Sequence, residues 1–240
     1  MMNKIITIAK REWQAFFDSL TAYIMLVLFL GFSGFFTWIF GSDIFFVKQA
    51  SLSVFFGVSY WTLFFFIPAL TMRQFAEENK TGTIELLLTR PVSDWQVISG
   101  KFLATLLLIA FALALTLPYY FTVANLGNMD HGATITGYIG LLLISAAYIS
   151  IGLFASSLTN NQIVGFLLAL AIGILFHFIF SLLSMSSGGA LATIFDYLSI
   201  STRFDSLSRG VIDTGDLVFF FSLIFLALTA TEAILQRNRI

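Results

Sequence analysis

Few side chains in this 240-residue sequence could do chemistry, and most of them are gathered in one place. Residues 73–101, RQFAEENKTGTIELLLTRPVSDWQVISGK, hold eight of the 25 charged side chains: Arg73, Glu77, Glu78, Lys80, Glu85, Arg90, Asp94 and Lys101. Those types at that spacing suit ion pairing, helix capping and the docking of another protein. With no cysteine, disulfides and thiolate metal sites are excluded, and the two histidines, His131 and His177, stand far apart. No G-x-x-x-x-G-K-[ST] loop, no H-E-x-x-H and no G-x-S-x-G occurs, so neither nucleotide hydrolysis nor an intramembrane enzyme is expected. No metal site, catalytic residue or cofactor is assigned to this chain, and any catalysis in water must come from another one.

The elements that carry this polar stretch are membrane elements. The chain is 58% hydrophobic and only 10% charged, with a mean hydropathy of +0.94. Soluble domains carry roughly 25% charged residues. The apolar runs last about twenty residues, the length of a bilayer-spanning helix, without the alternation of barrel strands. The sequence therefore predicts an all-α integral membrane protein, one transmembrane domain over 1–240, with six spans at 20–40, 51–72, 102–124, 137–156, 163–183 and 217–235. Residues 3–19 predict an amphipathic interfacial helix, with Ile5, Ile6, Ala9, Trp13, Phe16 and Phe17 on one arc and Lys4, Lys10, Arg11, Gln14 and Asp18 outside it. The N-terminal segment reads as a retained anchor, since no cleavage site follows a short apolar core. Nine basic residues (Lys4, Lys10, Arg11, Arg73, Lys80, Arg90, Lys101, Arg237 and Arg239) fall on the side of the termini, and three (Lys48, Arg203 and Arg209) on the other. That bias predicts cytoplasmic termini and a cytoplasmic segment 73–101.

This segment is patterned as stiff helices. Gly82 breaks a charged helix that prolongs the second span, and Thr83 can cap the next, with Glu85 in its first turn. Ile84 and Leu86 to Leu88 are too apolar for a loose loop. Arg90-Pro91 stops that helix. Ser93 and Gln96 form a capping box for a third helix, with Val92 and Val97 as its staple.

The run Glu77-Glu78-x-Lys80-Thr81-Gly82-Thr83-Ile84-Glu85-Leu86-Leu87-Leu88-Thr89-x-Pro91, with Lys101 ahead of an apolar span, resembles the signature between spans two and three of type-2 ABC exporter permeases. Within that group the chain is similar to the permease subunit of the gliding-motility ABC transporter, chiefly through residues 199–216. The resemblance implies that Glu77, Glu78, Lys80, Gly82, Thr83, Ile84 and Glu85 form a coupling region seated on a separate ATP-binding subunit, present in two copies and carrying the ATP and magnesium. Closure of that partner would push the coupling helix and tilt spans one, two and five. It further implies a second permease chain, either the same or a relative with a large exterior domain, and a bacterial inner-membrane location. No nucleic-acid partner is implied.

Two further patterns lie beyond the coupling region. Gly165, Ala169, Gly173, His177 and Ser181 recur every four residues on span five, a ridge suited to close helix packing or a dimer face. His177 has no acidic partner in view and reads as a hydrogen-bonded packing histidine in preference to a proton relay. In the exterior segment 184–216, Leu191, Ile194, Phe195 and Leu198 form one stripe and Phe204, Leu207 and Val211 another, with Asp205 and Arg209 spaced to pair. These predict two re-entrant half-helices, with Asp213, Thr214 and Asp216 capping span six. An ion-coupled transporter or channel, and an ABC module that does mechanical work without cargo, are the alternative readings.

Overall fold

The computed structural model describes residues 2–40, 50–82 and 92–237, and their regular elements are all helical. Helix α1 (Met2–Asp18) is followed by α2 (Thr21–Trp38), α3 (Ser53–Thr71) and the short α4 (Ala76–Thr81). After the next described residues come α5 (Asp94–Ala114), α6 (Leu117–Leu126) and α7 (His131–Ser157). The chain continues through α8 (Gln162–Ile174), a π turn (Leu175–Ile179), α9 (Phe180–Ser186), α10 (Ala190–Leu198), α11 (Ile200–Ser208) and α12 (Thr214–Arg237). Six of these units are long and apolar enough to cross a membrane: α2, α3 with α4, α5 with α6, α7, α8 with α9, and α12.

Helix α7 is the axis of the bundle. Its most apolar window is 78% buried, far above the 22–28% of α2, α8–α9 and α12, and α3, α5, α8, α11 and α12 all pack against it. The reason lies in its small residues. Between lipid-embedded helices the gain comes from close van der Waals contact, which small side chains permit. Where α3 crosses α7, a Cβ at Gly152 would collide with the Thr71 side chain.

The two ends of the bundle differ. At the end that carries both termini, here called proximal, α1 lies along the start of α5, and a Cβ at Gly100 would come within 2.5 Å of Ile8 Cγ2. At the distal end α5 gives way to α6 at Leu115–Thr116, because Pro118 in the first turn of α6 removes a helical N–H and crowds the preceding turn. The two distal half-helices separate in role. Helix α11 buries Ile200, Phe204 and Leu207 in the bundle, whereas α10 buries no residue and packs over α9, exposing Leu191, Ile194 and Tyr197.

Details of the exterior stripes need correction. Val211 lies past the end of α11 and is exposed, so the second stripe stops at Leu207. Arg209 donates from Nε to the Asp205 main-chain carbonyl at 3.0 Å, and not to its carboxylate. Asp213 does cap α12, accepting from Gly215 N at 2.9 Å. Asp216 is drawn instead to Arg203, whose Nη1 lies 2.6 Å from Asp216 Oδ1.

Candidate functional site

The polar machinery of the described residues centres on Lys101, whose side chain is only 2% exposed. A buried ammonium is costly unless it is paired and its protons are accepted. Lys101 Nζ donates to Glu78 Oε1 at 2.8 Å and to the Gln74 carbonyl at 2.9 Å, with Glu12 Oε1 at 3.6 Å and the Phe75 ring beside it. The three charged groups come from three elements: α1, α4 and α5. Arg11 also pairs with Glu12 Oε1, at 2.7 Å. Burial would raise the Glu12 carboxyl, but the charge of Lys101 together with Arg11 outweighs it and holds Glu12 below its ordinary value.

A second set of bonds fixes the segment between α3 and α4. The Ser156 hydroxyl, fully buried on α7, accepts from Phe75 N and Ala76 N at 3.0 Å and donates to the Met72 carbonyl at 2.9 Å. Asn79 reaches the carbonyls of Ser157 and Thr159. Arg73 Nη2 donates to Ser19 Oγ at 3.0 Å and Thr21 Oγ1 at 2.7 Å, tying the α1–α2 junction to the same segment. These bonds join the segment to the α1–α2 junction, α5 and α7.

Glu77, Glu78, Lys80 and Gly82 are described, while Thr83, Ile84 and Glu85 lie outside the described residues. Glu77, Lys80 and Gly82 are exposed, and Glu78 is turned inward onto Lys101. Gly82 ends α4 at φ +69°, a left-handed geometry that suits glycine. The capping box is complete: Ser93 Oγ accepts from Gln96 N, and Gln96 Oε1 accepts from Ser93 N. It starts α5 seven residues ahead of Lys101 and delivers that side chain into the junction.

The span-five ridge is spent inside the chain. Gly165, Ala169, Gly173 and His177 are all buried. Cβ atoms at Gly165 and Gly173 would press on the Met72 carbonyl and the Phe64 ring. His177 shares a hydrogen bond between its Nδ1 and the Tyr148 hydroxyl. Its ring stacks on Tyr60 at 4.3 Å, and Tyr60 stacks on Phe204 at 4.8 Å, forming a column from the π turn through α3 to α11.

Glu12, Ser156 and the Arg73 anchors escape sequence reasoning. Glu12 had a signal: at 100° per residue it sits about 20° beyond the edge of the apolar arc of α1, where a carboxylate faces the neighbouring helix. Ser156 had none, since one serine in a serine-rich helix is not distinguishable by type.

Fold and site together define a polytopic helical membrane protein whose polar junction lies at one end. The chain belongs to the ABC-2 family of transporter proteins, whose profile matches residues 46–235. It is thus a permease component of an ABC transporter, a family that implies partnership with an ABC ATP-binding subunit and the membrane. No curated protein sequence matches the chain.

Proposed function

We propose that the proximal end is the receiving end of this permease. The segment from Arg73 through the stretch beyond Gly82 is the cytoplasmic coupling region on which the ATP-binding subunit acts. The observation that carries this reading is the bracing of that segment to four helices through Lys101–Glu78, Ser156 and Arg73. A braced segment passes on displacement that a slack loop would absorb. In this reading Glu77, Lys80 and Gly82 face the partner, with Thr83, Ile84 and Glu85 beyond them, and Glu78 works from inside as the strut.

The complex is an assembly of two ATP-binding subunits and two permease chains in a bacterial inner membrane, exporting cargo or doing mechanical work linked to gliding motility. The nine-to-three basic bias supports the orientation. The resemblance over residues 199–216 supports the gliding link. Membership of an ATP-driven family weighs against an ion-coupled transporter.

The test is co-purification in detergent of the full-length chain with its ATP-binding subunit, comparing wild type with Gly82→Val and Glu85→Arg. Loss of the subunit from both variants, with folding intact, is the expected result. Retention at the wild-type level in both would overturn the contact.

A further inference from the structure

The same proximal end holds a cleft whose wall includes residues of the braced segment. It measures about 240 Å³ and lies between α1, the end of α3 and α4, with Arg73, Gln74, Glu78 and Lys101 in its wall. Two acceptors on residues of its wall have no partner among the described residues. Glu78 gives Oε1 to Lys101 and leaves Oε2 buried and unpaired; Gln74 is 6% exposed and leaves Oε1 unpaired. The Gln74 amide orientation is set by its neighbours. Thr105 donates its only hydroxyl proton to the Lys101 carbonyl at 3.0 Å, so its oxygen must accept from Gln74 Nε2, at 2.7 Å, and the amide oxygen is the end left over. Two buried acceptors without a donor among the described residues leave room for one supplied by a ligand.

The cleft also offers a donor. Arg73 spends Nη2 on Ser19 and Thr21 and has no other partner among the described residues. With Arg11 on Glu12, the carboxylates of Glu12, Glu77 and Glu78 are matched by Arg11, Arg73 and Lys101. A ligand with one positive and one negative group fits that balance, and a net anion does not.

A second groove, about 280 Å³, opens between α2 and α3. It is lined by Ile24, Met25, Leu28, Phe66 and Leu70, and it shares Leu70 with the cleft, while the Thr21 that accepts from Arg73 also lines it. Along the chain the order is apolar at Leu70, cationic at Arg73, acceptor at Gln74 and Glu78. That is the order of acyl chain, phosphate and ammonium in a phospholipid.

We infer that the cleft and groove together bind one aminophospholipid. An acyl chain lies between α2 and α3, its phosphate rests on Arg73, and its primary ammonium donates to Gln74 Oε1 and Glu78 Oε2. The bound lipid ties α1 and α2 to the Lys101 junction from outside. A trimethylated headgroup has no N–H to donate and leaves both acceptors unpaired.

The experiment is a thermal-shift titration of the full-length protein in detergent with dioleoyl phosphatidylethanolamine, phosphatidylcholine or phosphatidylglycerol. The ethanolamine lipid is expected to raise the unfolding midpoint at about tenfold lower concentration than the other two. Gln74→Leu should erase that preference, and Arg73→Gln should weaken the response to all three lipids. Glu78→Gln serves as a second acceptor variant, and Gln74→Leu keeps the test valid if that protein fails to fold. Equal responses in wild type, or an ethanolamine preference that survives Gln74→Leu, overturn the inference. So does the case in which lipid responses are equal and Gln74→Leu instead strips the ATP-binding subunit, for then the cleft receives a basic side chain of that partner. Loss of subunit binding only in the Gly82 and Glu85 variants leaves the lipid site standing, so the two readings fail separately.

Discussion

Lys101 is held by groups from three elements, and its removal shows what such a junction is worth. Lys101→Met leaves Glu78 and Glu12 without their cation. The expected loss is on the order of 3 kcal/mol, the low end for a broken buried pair because both carboxylates keep some contact with water. Adding Glu78→Gln to Lys101→Met should recover part of that loss, read as unfolding midpoints in detergent. Glu12 makes the junction sensitive to acid. Its carboxyl is held below the ordinary 4.5, so its contribution is complete above about that pH and is lost as pH falls through the lower folded value. Between pH 6 and 3.5 the wild-type midpoint should fall more steeply than that of Glu12→Gln, and equal slopes would count against the pairing. Residue types foretold part of this. Glu78 and Lys101 stood out as charges beside apolar spans, but their partnership did not, because 23 residues separate them and only the fold closes that gap.

At the scale of elements, the hinge between α3 and α4 depends on one hydroxyl of α7. Ser156→Ala deprives Phe75 N and Ala76 N of their acceptor and should cost about 1–3 kcal/mol. Faster amide exchange over residues 72–78, with α5 and α12 unchanged, is the signature to look for. The helices themselves were largely legible. Runs of uncharged residues set the spans and Ser93 and Gln96 set the start of α5, whereas the division of the third predicted span into α5 and α6 beside Pro118 was not read. What periodicity could not supply was the partner of each face. The two distal stripes look alike in sequence, yet α11 is embedded against α7 and α10 is not, since Gly140 of α7 lies beneath Phe204 and Leu207. The glycine ridge of span five likewise gave its spacing without its neighbours, which are α3 and α7 of the same chain.

For the molecule as a whole, the six candidate spans among the described residues, an even number, bring α1, the end of α12 and Gly82 to one end. Cysteines introduced at Gly82 and near either terminus should react with membrane-impermeant reagents only after the cell is opened, whereas one at Met185 should react in intact spheroplasts. The opposite pattern would invert the proposed orientation. The basic residues of the sequence predict this orientation, but they do not reveal that α7, and not the charged segment, is the axis around which the bundle is built.

The π turn at Leu175–Ile179 has a bearing on how span five can move. One residue more per turn advances everything beyond it by about 100° relative to an uninterrupted helix. The two halves of the span are therefore phased separately: the ridge of α8 is aligned on α3, while α9 is aligned so that Phe180 stacks on Phe195 of α10, their centroids 6.2 Å apart. Were the turn to relax to an α-helix, the lower rod could stay seated while the upper one swivelled by more than a quarter revolution and carried the distal cover with it.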